Sequence, residues 1–158
     1  MIASIAHPSP STCPKRNGPL PGVPAAPHVL VVEDDVDIRE PLARALRHEG
    51  YAVHTFGSGS ELVGYLGSCL LRSSRPRPRM LRGFDAIVTD VRMPGISGIG
   101  IVQGLRAEGW SQPVVVMSAF ADEALRRRID RLDDVAFVAK PFEIEEIGRT
   151  LHDLMLHA

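Results

Sequence analysis

Acidic, hydroxyl and ammonium side chains follow four short apolar runs of the chain. These runs begin at residues 29, 86, 114 and 135 and contain no strongly polar residue before their last positions. The side chains that follow them are Glu33 and Asp34, Asp90, Ser118, and Lys140. If each run is a parallel β-strand, all carboxyl ends share one rim of the sheet, and residues distant in sequence converge there.

Such a cluster would be suited to phosphoryl chemistry. Three crowded carboxylates repel one another and raise their pKa values unless a cation is present, and Mg²⁺ suits two carboxylates plus water molecules. An aspartate can attack phosphorus as a nucleophile and form an acyl phosphate. Mg²⁺ and a lysine ammonium neutralise charge on a transferring phosphoryl group, and a serine hydroxyl donates a hydrogen bond to it.

Each of these residues also has a purely structural interpretation. Asp90 precedes a Pro-Gly turn and could simply form that turn. Glu33 and Asp34 could be favourable charges at the start of a helix. Ser118 could be a turn residue, and Lys140 a solvated charge. The joint occurrence of all of them after apolar runs favours a functional site over these separate explanations.

Five strand-like runs alternate with five amphipathic segments, which predicts a parallel α/β sheet with helices on both faces. Right-handed crossovers leave few topologies for such a chain. The predicted strands are residues 28–32, 51–56, 86–90, 114–117 and 135–139. The first predicted helix begins at a cap, Asp35 or Asp37, and the later helices cover residues 61–71, 96–108, 121–132 and 143–156.

Length and composition favour one domain with an N-terminal tail. The chain has 158 residues, 44% of them hydrophobic, and its net charge of -1 gives no global field for nucleic acid or a membrane. No apolar run approaches the roughly 20 residues of a membrane span, and no signal peptide is recognisable. Cys13 and Cys69 have no metal-ligand or disulfide-framework spacing. We therefore expect a cytoplasmic protein that does not associate with a membrane.

Two segments depart from the alternating pattern. Residues 1–27 are rich in Pro, Ser and Gly and are predicted to be a disordered tail. Residues 72–82 combine arginines with prolines and contain no acid. They could bind phosphate or an acidic partner, but a mobile, solvated connecting loop is the favoured interpretation. The domain proper is expected to cover residues 28–158.

Four short motifs in this order resemble the receiver domain of two-component response regulators, of the stand-alone, single-domain type. The motifs are Val-Leu-Val-Val-Glu-Asp-Asp, Val-Thr-Asp-Val-Arg-Met-Pro-Gly, Val-Met-Ser-Ala and Ala-Lys-Pro-Phe. The resemblance covers residues 28–158. It implies a flavodoxin-like, doubly wound, five-stranded parallel sheet with strand order 2-1-3-4-5 and five helices.

The resemblance also implies a role for each residue of the acidic site. Asp90 would be the phosphoacceptor for a histidine kinase or a histidine phosphotransfer protein. Asp34 and Asp90 would bind Mg²⁺ through their carboxylates, and Arg92 would bind it through the backbone carbonyl. Glu33 would act through metal-bound water, and Lys140 would contact the phosphoryl group.

A switch is implied by the same resemblance. Ser118 would be the switch hydroxyl and Phe137 the switch aromatic, although the family often has Thr and Tyr at these positions. A phenyl ring cannot make the hydrogen bond of a tyrosine hydroxyl. Phe120 is bulky beside the site and is expected to slow the attack of water.

Two other functions compete with that of a phosphoaccepting receiver. A phosphate-independent interaction module with the receiver fold would be expected to lack an acid or Lys140, and both are present. A Mg²⁺-dependent phosphohydrolase with an aspartyl nucleophile typically carries Asp-x-Asp after its first strand. Here Asp90 follows the third strand and Arg92 stands two residues later. We therefore expect a signalling receiver that catalyses only its own phosphorylation and dephosphorylation.

The expected output is protein binding. Only residues 143–158 follow the Lys-Pro-Phe motif, which leaves no room for a DNA-binding domain unless the chain is a fragment of a larger one. We therefore expect a downstream protein effector and no direct DNA binding. The face formed by the fourth helix, fifth strand and fifth helix is expected to bind that effector or to form a homodimer.

Overall fold

A computed structural model describes residues 25–72, 83–120 and 122–157 of the chain. Its five strands are all parallel and form one sheet in the order β2-β1-β3-β4-β5. The strands are β1 His28–Val32, β2 Ala52–Phe56, β3 Ala86–Asp90, β4 Val114–Ser118 and β5 Val135–Ala139. This architecture confirms the predicted doubly wound, flavodoxin-like fold.

Five helices connect or follow the strands within the described residues. They are α1 Val36–His48, α2 Gly59–Arg72, α3 Gly98–Ala107, α4 Glu123–Ile129 and α5 Ile144–His157. Two of them, α3 and α4, begin two residues later than predicted because side-chain caps fix their first turns, and α4 also ends earlier than predicted, at Ile129. Ser97 accepts a hydrogen bond from the amide of Gly100, and Asp122 accepts one from the amide of Leu125. At α1 the cap is Asp35 rather than Asp37.

Residues 1–24 and 73–82 lie outside the described part of the chain. The disorder predicted for residues 1–27 and the mobility predicted for residues 72–82 therefore remain predictions for most of each segment. The described residues of these two segments are 25–27, which adjoin β1, and Arg72, which ends α2. The carbonyl of Pro27 accepts a hydrogen bond from the amide of Ala52 at 2.8 Å, and α2 continues to Arg72.

The sheet separates two apolar layers. Alternate residues of β1 enter different layers, because successive side chains of a strand point to opposite faces. Val29 and Val31 pack with the layer under α1 and α5, whereas Leu30 and Val32 pack with the layer under α2, α3 and α4. Both layers are needed to bury this strand. A shift of one residue would move each side chain to the opposite face, so the pairing register of β1 is fixed.

Gly98 lets α3 start directly against the end of β3. A Cβ atom at this position would clash with the carbonyl oxygen of Asp90 and would lie 2.7 Å from Oγ1 of Thr89. The amide of Gly98 donates a hydrogen bond to the carbonyl of Val91 at 3.2 Å. This close approach requires glycine and packs the first turn of α3 against the backbone that carries Asp90.

Two histidines join β1 to β2 near the opposite, amino-terminal end of the sheet. Nδ1 of His28 lies 3.4 Å from Nε2 of His54, and the two rings are inclined by only 17°. The ring of His54 also meets the ring of Phe84 edge-on, with centres 6.0 Å apart. Burial lowers the pKa of His54, and the neighbouring His28 and Arg47 lower it further.

We expect acid to weaken the fold through His54. Because its folded-state pKa lies below the ordinary value of 6.5, the unfolded chain binds more protons below that pH. The free energy of unfolding should therefore fall as the pH drops. Urea unfolding at about pH 7.5 and about pH 5.5 measures this change. Between the two values, the free energy of unfolding should decrease less in His54→Gln than in the wild type. His48→Gln, at an exposed position of α1, is the control. If the free energy of unfolding changes equally with pH in all three proteins, His54 is not the group that weakens the fold in acid.

Candidate functional site

Three carboxylates from two strand ends meet at the rim of the sheet. Glu33 and Asp34 follow β1, and Asp90 ends β3. Each offers a carboxylate oxygen, and these oxygens all lie within 4.8 Å of one another. Glu33 and Asp90 are only 1% and 5% exposed, whereas Asp34 is exposed. The structure thus brings together the three acids that the sequence placed at this rim.

Lys140, which follows β5, connects two of these acids. Its Nζ lies 2.8 Å from Oε2 of Glu33 and 3.0 Å from Oδ1 of Asp90. Its backbone amide donates a hydrogen bond to the carbonyl of Ser118 at 2.8 Å, which ties the end of β5 to that of β4. The ammonium therefore reaches the acids from β5, which lies two positions from β3 and three positions from β1 in the sheet.

Burial and pairing act in opposite directions on these groups. Burial raises the pKa of Glu33, and the hydrogen bond and charge of Lys140 only partly offset that rise. For Lys140, burial alone would lower the pKa, but its contacts with Glu33 and Asp90 outweigh burial and raise it. At neutral pH the lysine therefore remains charged and favours the ionised form of Glu33.

The side chain of Asp90 is held on both oxygens. Oδ1 contacts Lys140, and Oδ2 accepts a hydrogen bond from the backbone amide of Arg92 at 3.0 Å. The amide of Val91 donates to the carbonyl of Met117 at 2.9 Å, so the chain continues the sheet pairing for one residue past β3. These contacts orient the carboxylate towards the other two acids.

Ser118 ends β4 and is buried at the rim. In this arrangement its Oγ is engaged locally, because it donates to the carbonyl of Phe120 at 3.1 Å and accepts from the amide of Phe120 at 3.2 Å. Phe120 itself is 59% exposed, and the guanidinium carbon of Arg92 lies 4.4 Å from the centre of its ring. Arg92 and Phe120 therefore stack beside the acids, a contact that the sequence analysis missed.

Phe137 lies away from the acids. Its partly buried ring packs against the core layer under α2, α3 and α4, and the guanidinium carbon of Arg126 lies 5.8 Å from the ring centre. In the sheet it is opposite Val116, two residues before Ser118. The ring therefore occupies the side of β5 that α4 covers.

The loop after β1 has a further partner that sequence reasoning missed. Nη1 of Arg39, in α1, donates hydrogen bonds to the carbonyls of Glu33 at 2.6 Å and of Asp34 at 3.2 Å. An arginine less than two turns after a pair of acids was the available signal. Spacing alone could not show that the guanidinium contacts the backbone rather than the carboxylates.

The residues at the rim suit a hard divalent cation. Carboxylate oxygens are the ligands that Mg²⁺ prefers, and Glu33, Asp34 and Asp90 form a group that could hold such an ion. Lys140 already neutralises part of the charge of this group, so an added cation would balance the remainder.

Within the described residues, no helix has the length and apolar character required to cross a membrane.

We expect Lys140→Met to destabilise the fold, because it leaves two buried carboxylates without their ammonium partner. Removing one member of a buried ion pair costs about 3–5 kcal/mol, and urea unfolding at neutral pH should show a loss of that order. The loss should shrink in acid, where Glu33 becomes protonated. Asp34→Ala is the matched comparison: its carboxylate is exposed and does not contact Lys140, so removing it should raise the melting temperature without metal. Equal stability of Lys140→Met and the wild type would contradict this interpretation.

Comparison with known protein families accounts for most of the chain. The family described as "Response regulator receiver domain" matches residues 29–152. The probable transcriptional regulatory protein TcrX of Mycobacterium tuberculosis is 36% identical over 131 residues, which cover 80% of this chain and 49% of the relative. Response regulator MprA of Mycolicibacterium vanbaalenii is 35% identical over 129 residues, with coverages of 80% and 49%. The chain spans about half the length of the curated relatives it matches.

Solved structures share the fold. A response regulator receiver protein from Pseudomonas putida has a TM-score of 0.66 at 25% identity, covering 83% of this chain and 99% of its own. Chemotaxis protein CheY4 of Vibrio cholerae has a TM-score of 0.66 at 24% identity, with coverages of 82% and 99%, and supports the fold alone. The chain belongs to the response regulator receiver domains, the signalling domains of two-component systems.

Proposed function

We propose that this receiver domain, residues 28–158, accepts a phosphoryl group on Asp90 in a Mg²⁺-dependent reaction. The donor would be a histidine kinase or a histidine phosphotransfer protein, and the proposed compartment is the cytoplasm. One observation carries the proposal: three carboxylates lie within 4.8 Å of one another, and Lys140 contacts two of them, including Asp90 at 3.0 Å.

The environment of Asp90 suits a carboxylate nucleophile. Lys140 contacts one oxygen of this carboxylate and the amide of Arg92 donates to the other, and both contacts orient the group for attack. In the proposed step one carboxylate oxygen forms a bond to phosphorus while the bond from phosphorus to the donor's imidazole nitrogen breaks. Lys140 would then move its contact to the phosphoryl oxygens, whose added charge it can neutralise.

We assign the proposed Mg²⁺ site to the acids of the rim. Asp34 and Asp90 would bind the ion through carboxylates, Arg92 through its backbone carbonyl, and Glu33 through a water molecule. When bound, Mg²⁺ supplies positive charge that offsets the negative charge of the phosphoryl group. The exposure of Asp34 supports this division, because an ion that retains several waters needs one side open to solvent.

We expect Asp90→Asn to abolish acid-stable, base-labile incorporation of phosphate from a small phosphodonor such as acetyl phosphate, because the amide is not a comparable nucleophile. Chelation of Mg²⁺ should abolish labelling of the wild type. Asp130→Asn, at the exposed end of α4, is the matched control and should label normally. Full labelling of the Asp90 variant would show that Asp90 is not the phosphoacceptor. A folded wild type that no histidine kinase or phosphodonor labels would favour a phosphate-independent interaction module.

The same proposal includes a switch between Ser118 and Phe137. The hydroxyl of Ser118 is engaged with the backbone of Phe120, and a phosphoryl group on Asp90 would offer it a stronger, charged acceptor. Movement of Ser118 would free space behind β4, and the ring of Phe137 would move into it. The resulting two-state element would alter the face formed by α4, β5 and α5.

This face is the proposed surface for a downstream protein effector or for a second copy of the chain. Direct DNA binding by residues 28–158 is not part of the proposal. Phe137 lies on β5 beneath α4, and Arg126 of α4 stacks near its ring, so a displaced ring would also move a charged surface residue. Phosphorylation at the rim would thus change the structure of a face of the domain that does not contain the acids.

We expect Phe137→Ala to uncouple phosphorylation from this face. The variant should be labelled normally, but phosphate should no longer increase affinity for the effector or for a second copy, nor shift the amide NMR signals of α4 and β5. Phe142→Ala is the control, because it removes a ring of the same size from the layer under α1 and α5. A full phosphate-dependent gain in the Phe137 variant would exclude the aromatic switch.

A further inference from the structure

Arg39 contacts the backbone of both acids that follow β1. Its Nη1 lies 2.6 Å from the carbonyl oxygen of Glu33 and 3.2 Å from that of Asp34. One guanidinium nitrogen therefore serves two successive peptide groups, whose side chains supply two of the three carboxylates at the rim. The contact is to the backbone and does not occupy either carboxylate.

This contact completes the hydrogen bonding of Glu33. The amide of Glu33 donates to the carbonyl of Phe56 at 3.1 Å, while its carbonyl accepts from Arg39. Glu33 is only 1% exposed, and a buried peptide carbonyl requires a donor. The backbone of Glu33 is thus held at its amide by β2 and at its carbonyl by α1.

The guanidinium is itself held in place. The backbone amide of Arg39 donates to the carbonyl of Asp35 at 2.9 Å, so the residue belongs to the first hydrogen-bonded turn of α1. A Cβ atom on Gly57 would lie 3.4 Å from Nη1, and the amide of Gly57 donates to Oε2 of Glu61 at 2.7 Å. The group therefore packs between the loop after β1 and the loop after β2.

We propose that Arg39 is a positioning residue for the Mg²⁺ site: it fixes the peptides of Glu33 and Asp34 so that their carboxylates already converge before the ion binds. The inference rests on the proposed use of Mg²⁺ by this rim. Arg39 is not a ligand, and its effect passes through the backbone. Mutation of groups that orient metal ligands typically weakens metal binding by about 10- to 100-fold.

Charge and geometry predict opposite results, which makes the inference testable. A guanidinium beside three carboxylates repels a divalent cation, so charge alone predicts that removing Arg39 tightens Mg²⁺ binding. Positioning predicts that the same change weakens binding, because the loop must then be ordered by the ion itself. The sign of the change in affinity separates the two effects.

The test measures Mg²⁺ affinity directly by NMR titration of the full chain without any phosphodonor, together with the melting temperature in chelator. Arg39→Met should bind Mg²⁺ about 10-fold more weakly than the wild type. Arg39→Lys, which keeps the charge and a donor, should recover part of the loss. Arg44→Met removes an exposed arginine of the same helix and should have wild-type affinity.

Unchanged or tighter Mg²⁺ binding in Arg39→Met would overturn the inference, as would a lower melting temperature without any change in affinity. If Arg39→Met does not fold, weaker binding in Arg39→Lys carries the inference, because charge is unchanged there, and wild-type binding overturns it. A wild type that binds Mg²⁺ but is not phosphorylated at Asp90 would refute the proposed function and leave the result for Arg39 standing. A wild type that does not bind Mg²⁺ would refute both.

Discussion

The ion network of Lys140 with Glu33 and Asp90 is the constraint on which the rest of the rim depends. Two carboxylates with almost no solvent exposure are brought together by β1 and β3, and their mutual repulsion in a poorly solvated place is costly. Lys140 relieves that cost from the end of β5. The repulsion is therefore partly offset only when three separate strands are in register, so the site depends on the assembled sheet.

The elements around the rim begin close to the strand ends that they serve. Asp35 caps α1 directly after the first acids, and Gly98 allows the start of α3 to touch the backbone of Asp90. Short loops of this kind leave the acids little conformational freedom, because the buried strands on one side and the helix starts on the other restrict both ends. Preorganisation of this kind is what a site needs if binding energy is not to be spent on ordering loops.

The hydroxyl of Ser118 stands apart from the ion network. It is buried at the rim but hydrogen-bonded to Phe120, and it does not complete the ion network. A group held by a weak local interaction can change partners when a stronger acceptor arrives, whereas the paired charges of Lys140 cannot do so without cost. The rim thus combines a buried network of charges with a locally bonded hydroxyl, and the proposed switch would use this difference.

Much of this protein could be predicted from the sequence, because apolar runs and the residues that end them are local features. The strand positions, their parallel order and the convergence of Glu33, Asp90 and Lys140 all follow from that pattern and from the shared rim of parallel strands. The starts of α3 and α4 were predicted two residues too early, although the Ser97 and Asp122 caps that set them are local features of the sequence. The backbone contacts of Arg39 and the pairing of one ammonium with two acids were decided only by the tertiary structure, since they depend on distances of a few ångströms between segments that no sequence spacing determines.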